Sequence, residues 1–168
     1  MSGFDTKLFR LINDLAEKSE FRDQVFIFSS NYGLYIFAGV LIVLFFWRRR
    51  LFWAALVSVI LSRAIITEVL RYFLKRPRPF VALKNVRLLV EKNAAEPSFP
   101  SGHAAIYFAI AFAVYLFNRK IGVILIIAAL LASLARVYTG IHYPSDILGG
   151  ILVALFSVYL VNKLKRMR

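Results

Sequence analysis

Apolar positions along this chain come in long blocks separated by short charged runs, and the blocks predict the elements. Val25 to Trp47 is the first clear block, free of charged residues and long enough for a bilayer core of about 30 Å. Leu51 to about Leu74 is a second block, carrying Arg63 near its middle and Glu68 and Arg71 later. Charges at that depth are costly, so they should face the bundle and be paired; Glu68 and Arg71 have i,i+3 spacing. Three shorter apolar stretches follow at 104–117, 121–135 and 147–161. At 1.5 Å per residue each reaches only about 22 Å, so they span only if the helices continue through the flanking polar residues. Helix three is therefore expected from Ser101 to Phe117, helix four from Ile121 to Tyr138, and helix five from Pro144 to Asn162. Ahead of them all, Phe4, Leu8, Leu11, Ile12 and Leu15 alternate at helical spacing with Asp5, Lys7, Arg10, Asp14 and Glu17. An interfacial amphipathic helix and a surface helix packed on the bundle both fit that pattern. Residues 75–100 form the one long polar connection, broken by Pro77, Pro79, Pro97 and Pro100. The expectation is an all-α polytopic membrane bundle of about five transmembrane helices plus an N-terminal amphipathic interfacial helix within residues 1–20. It forms one domain over 1–168.

Composition agrees: 60% of residues are hydrophobic and the mean hydropathy is +0.69, too apolar for a soluble domain of 168 residues. The absence of cysteine excludes disulfides and thiolate metal sites. The N-terminus lacks the apolar core of a cleavable signal, so the first membrane helix is expected to direct insertion. A net charge of +13 invites a nucleic-acid partner. We exclude one, because the cations fall at helix ends and in a few compact runs rather than on one soluble face. Attraction to anionic membrane lipids accounts for much of the excess. Nothing in the sequence specifies an oligomer.

With five spans, the 75–100 connection and the 139–143 turn lie on the same side of the membrane. Three polar runs then meet at one face. In the third, Arg136, His142 and Asp146 stand in Arg-Val-Tyr-Thr-Gly-Ile-His-Tyr-Pro-Ser-Asp. A carboxylate bonded to one imidazole nitrogen fixes the tautomer and frees the other as nucleophile or base. Alternatively, Asp146 merely complements a helix N-terminus. In the second run, Pro100-Ser101-Gly102-His103, a capping serine opens an apolar helix whose first N–H groups form an anion site. Gly102 lets an oxyanion approach the backbone, and His103 can protonate a leaving oxygen. A simple capped helix explains Ser101 but not the histidine. The first run holds Arg71 and Arg78, whose guanidinium forks suit phosphate oxygens. A headgroup anchor is the alternative there, and fits Lys75 and Arg76. Neither a carboxylate cluster for Mg²⁺ nor a three-ligand zinc set is evident, so a cofactor-free phosphohistidine reaction is the economical reading.

These three spaced runs resemble the type 2 phosphatidic acid phosphatase superfamily of membrane lipid phosphatases. The family pattern is Lys, six residues, Arg-Pro; Pro-Ser-Gly-His; then Ser-Arg, five residues, His, three residues, Asp. Here Arg71 stands in the lysine position and Ala135 in the serine position. The resemblance implies His142 as nucleophile, Asp146 as its orienting partner, and His103 as leaving-group acid and then base for water. It implies Arg71, Arg78, Ser101, Gly102 and Arg136 as phosphate ligands, and no metal. The short chain, amphipathic start and double Arg-Pro look most like bacterial undecaprenyl-diphosphate phosphatases. Phosphatidylglycerophosphate, phosphatidate and lipid A phosphatases are the alternatives. A non-catalytic transporter or lipid-binding protein is the alternative of another class, drawing on Arg63 and Glu68. Extra loop cations at Lys84, Arg87 and Lys92 are read as favouring a diphosphate. The end opposite the motifs carries nine cations and no acid, against ten cations and seven acids on the motif side. Phosphate binding explains several motif-side cations, so the motif face is placed outside the cytoplasm, on the inner or plasma membrane.

Overall fold

The structure, a computed structural model, describes residues 3–166. Arg168, the last cation of the predicted basic tail, lies outside the described residues, as do residues 1 and 2 of the N-terminal segment. The described residues form eight α-helices: α1 (Gly3–Asn13), α2 (Glu20–Trp47), α3 (Arg49–Val59), α4 (Thr67–Leu74), α5 (Pro79–Ala82), α6 (Gly102–Phe117), α7 (Arg119–Tyr138) and α8 (Pro144–Arg166). A π-helical segment, Ile60–Ile66, joins α3 to α4, so the predicted second span is one rod with a widened middle.

Among the described residues, four segments are long and apolar enough to cross a membrane: Glu20–Trp47, Arg49–Ala82, Arg119–Tyr138 and Pro144–Leu164. Helix α6 is a shorter apolar helix and the axis of the bundle. It packs against α3, the π-helical segment, α7 and α8. Ala104, Ala105, Ala109 and Ala111 on α6 are fully buried. Lipid tails are as apolar as these side chains, so close packing of small residues, more than hydrophobic exclusion, joins such helices. Phe37 of α2 stacks on Tyr107 of α6 at 4.6 Å between ring centroids. Helix α2 turns Phe28, Ile36, Ile42 and Phe46 outward, as a lipid-facing helix requires. The architecture is a polytopic all-α membrane bundle.

Helix α1 sorts its faces in a way its periodicity hid. Asp5, Phe9 and Asn13, at i, i+4 and i+8, are the buried residues, docked on α7 and α8, while Phe4 and Leu11 stay exposed. Asn13 holds α1 down by donating to the carbonyls of Arg87 (2.8 Å) and Tyr138 (2.9 Å). Its Oδ1 accepts from the Arg87 N–H at 3.0 Å. The outward apolar residues remain available to the interface. The inward face is partly polar because it completes the cluster described next.

Candidate active site

Pro144 opens α8, which places Asp146 in the first helical turn and His142 in the preceding loop. The His142 ring is 1% exposed. Its Nδ1 lies 3.2 Å from Asp146 Oδ2, and its Nε2 lies 3.3 Å from an Arg78 guanidinium nitrogen. A guanidinium can only donate. Nε2 is therefore the lone-pair nitrogen, and Nδ1–H donates to Asp146. Burial pushes the His142 pKa down to about 4 against the pull of Asp146, with Arg78 and Arg136 also lowering it. At neutral pH the ring is neutral and its lone pair is available.

Asp146 is fully buried and saturated with donors. Oδ2 also accepts from Ser98 Oγ at 2.5 Å and the Tyr143 N–H at 2.8 Å; Oδ1 accepts from Arg76 at 2.8 Å. The second Arg76 nitrogen donates to Asp5 Oδ2 at 2.5 Å, and the guanidinium lies 4.0 Å from the Tyr143 ring centroid. Asp5 in turn accepts from the Ser145 N–H (3.0 Å) and hydroxyl (2.6 Å). Arg76 is thus no headgroup anchor. It is the half-buried link from Asp146 to α1, contrary to the expectation from sequence. Arg76→Gln should lower kcat about tenfold to a hundredfold, the size of one lost charge-assisted hydrogen bond. Steady-state kinetics beside a thermal unfolding curve check this, and unchanged kcat would show that Asp146 needs no such support.

The remaining predicted residues converge on the same end. Arg78 is 1% exposed and donates to the carbonyls of Ile141 (3.0 Å) and Glu96 (3.1 Å). Arg71 is buried, with Nε donating to the Pro100 carbonyl at 3.2 Å. Ser101 caps α6, its Oγ accepting from the Ala104 N–H at 3.5 Å, and its own N–H donates to the Asp146 carbonyl at 2.9 Å. That last bond ties the start of α6 to the start of α8. The two helices meet closely because Gly150 has no side chain. A Cβ there would lie 2.7 Å from the Ser101 carbonyl oxygen. His103 is half-buried on the first turn of α6, its ring 6.0 Å from that of Tyr107. Arg136 donates to the Ser30 carbonyl (2.7 Å) and Oγ (3.1 Å), but its buried Nε has no hydrogen-bond partner among the described residues.

A cleft of about 630 Å³ opens beside these groups, lined by Glu68, Arg71, Tyr72, Arg76 and Glu96 among others. A similar cavity at the opposite end, about 650 Å³, is lined by Arg48–Arg50, Ser58, Asn162 and apolar residues. Glu96 pairs with Lys92 at 2.7 Å and with Arg78 at 3.3 Å. The Lys92 contact, followed by the charges of Lys92, Arg78 and Arg71, holds the Glu96 carboxyl below its ordinary range despite partial burial. Two of the three loop cations, Lys92 and Arg87, meet partners within the protein. Lys92 serves Glu96, and Arg87 donates to the carbonyls of Asp14 (2.7 Å) and Ala16 and pairs with Glu17 at 3.6 Å.

Sequence reasoning missed Ser98, Asp5, Ser145 and Ser30. Ser98 had a signal, standing two residues before the Pro-Ser-Gly-His run. Asp5 had none, since it reads as one more charge on an amphipathic helix and only docking turns it inward.

The chain is 31% identical over 95% of its length to a bacitracin transport permease protein BcrC of Bacillus licheniformis, covering 80% of that protein. It is 31% identical over 92% of its length to the undecaprenyl-diphosphatase BcrC of Bacillus subtilis, again covering 80%. The crystal structure of Aquifex aeolicus LpxE superposes with a TM-score of 0.85, at 29% identity and 96% coverage of both chains. The pattern of the PAP2 superfamily matches residues 51–168, the stretch from α3 onward that carries both histidines, Asp146 and the three arginines. A multi-pass membrane protein with these motifs, this fold and these relatives belongs to the PAP2 superfamily of lipid phosphatases.

Proposed function

We propose that this chain hydrolyses undecaprenyl diphosphate to undecaprenyl phosphate and orthophosphate through a phosphohistidine on His142. It acts as one domain with its site on the non-cytoplasmic side. The observation that carries the reading is the His142 ring itself. Its Nδ1 is held by Asp146, and its neutral Nε2 faces the Arg78 guanidinium. That is the orientation of a nucleophile waiting beside a phosphate ligand.

The chemistry runs in two displacements. A phosphoryl group entering against Arg78 takes over that guanidinium's hydrogen bonds and frees the Nε2 lone pair. Nε2 attacks phosphorus, the bond from phosphorus to the bridging oxygen breaks, and the lipid leaves with that oxygen. His103 stands on the first turn of α6 to handle the proton. Water then attacks the phosphohistidine with His103 as base, the P–N bond breaks, and orthophosphate departs. Asp146 stabilises the charge that builds on the ring in the first step. Charge spread over the phosphoryl oxygens falls to Arg71, Arg78, Arg136 and the N–H groups opening α6. The orphaned Nε of Arg136 supports this, since a buried cationic donor without a partner is what an oxyanion satisfies.

The substrate reading is supported by the relatives named as undecaprenyl-diphosphatases and by a charged site at the end of apolar helices. The non-cytoplasmic placement rests on charge. Phosphate binding explains several cations on the motif side, whereas Arg48, Arg49, Arg50, Arg119 and Lys120 at the opposite end have the character of a cytoplasmic face. The test is phosphate release from undecaprenyl diphosphate in detergent micelles with excess EDTA, with and without orthovanadate. Release that persists in EDTA and is suppressed by vanadate is expected. Release abolished by EDTA, or indifferent to vanadate, would sink the mechanism. Release from phosphatidate or phosphatidylglycerophosphate alone would move the substrate assignment. No release from any of them would bring the transport reading forward.

A further inference from the structure

The π-helical segment Ile60–Ile66 carries Arg63, a charge at membrane depth that the hydrolytic machinery described above does not use. Such a charge is costly and marks function more often than not. π-Helical turns likewise collect at functional sites. Here the segment is pressed against the start of α6. A Cβ on Gly102 would lie 2.6 Å from Arg63 Nε, so glycine at 102 is what admits this guanidinium. Gly102 immediately precedes His103, and Arg63 and His103 are electrostatic neighbours.

Two guanidiniums converge on one oxygen at this place. Glu68 Oε1 is bonded by Arg63 and lies 3.4 Å from Arg71. Glu68 is half exposed, and it lines the cleft beside the site. A carboxylate oxygen shared by two arginines marks a position that another oxyanion can take. The flanking Ile60, Ile65 and Val69 are exposed, so this wall faces the bilayer, the side from which a lipid arrives.

The geometry points to Arg63 as the subsite for the lipid-linked phosphate of a diphosphate substrate, beside Arg71 on the outer phosphoryl group. It rests on the reading that His142 takes the outer phosphoryl group. When the bridging P–O bond breaks, the leaving group is a lipid monophosphate that gains negative charge on the bridging oxygen. A cation at the leaving side stabilises that charge directly. A lipid monophosphate ester instead leaves as an alkoxide, which needs a proton from His103 and has no second phosphate for Arg63 to hold. Arg63 is therefore a selectivity residue for diphosphates, and Glu68 holds it in place until substrate displaces the carboxylate.

Wild type, Arg63→Gln and Arg63→Lys are compared on undecaprenyl diphosphate and on phosphatidate, with inorganic diphosphate and orthophosphate as competing inhibitors. Arg63→Gln is expected to lower kcat/KM on the diphosphate about tenfold or more, with less than about twofold change on phosphatidate. Inhibition by inorganic diphosphate should weaken with it, while inhibition by orthophosphate stays. Arg63→Lys should recover part of the loss, and it carries the test if the glutamine variant fails to fold. Equal losses on both substrates, or none, overturn the subsite and leave the carrier-lipid reading standing. Wild type that cleaves phosphatidate but not undecaprenyl diphosphate overturns both.

Discussion

His142→Gln is expected to release phosphate at no more than about one ten-thousandth of the wild-type rate, because the step it removes is covalent. No neighbouring group replaces it. Arg78 cannot attack, and nothing positions His103 opposite the leaving oxygen and in line at once. The fold should survive. Glutamine is close to histidine in volume, and its amide retains an acceptor for Arg78 and a donor for Asp146. The variant should therefore unfold at a temperature close to wild type. Phosphate release and a melting curve, taken on the same preparation, check both halves. Turnover within tenfold of wild type would remove His142 as nucleophile whatever the pattern of the motifs.

The second large effect is expected at Asp146→Asn. Its carboxylate keeps the imidazole in the tautomer with Nε2 free and balances the charge the ring acquires once phosphorylated. Removing one such orienting carboxylate from a histidine has the scale of about 10³- to 10⁴-fold in kcat. Here there is a structural cost as well. Asp146 accepts from Ser98, Tyr143, Arg76 and His142, and an amide must turn a donor toward some of these donors. The half-buried Arg76 would keep Asp5 as a partner but lose the other, so the loss of stability should be about 2 kcal/mol. Kinetics and chemical denaturation of the variant measure the two parts separately. Near-normal kcat would mean that the tautomer is set elsewhere, with Ser98 Oγ, 3.4 Å from Nδ1, the first group to test.

The spans, the helix starts and the convergence of three polar runs were legible in the chain itself. Apolar block length and breaker residues act locally, and a helix count alone puts residues 75–100 and 139–143 on one side. The pairing of His142 with Asp146 was legible for the same reason, since i,i+4 spacing across a helix start is local geometry. Tertiary structure decided what surrounds that pair. Arg76 looked like one more juxtamembrane cation until folding set it between Asp146 and Asp5. Asp5 looked like the charged face of an amphipathic helix until docking turned it inward beside Phe9 and Asn13. Arg63 and Glu68 had no assignable role until the π-helical segment brought Arg63 against Gly102. Periodicity records which residues share a face, not which partner that face meets. Contacts between residues 70 or more apart in sequence, such as Arg76 with Asp5 and Asp146, exist only when the helices have packed.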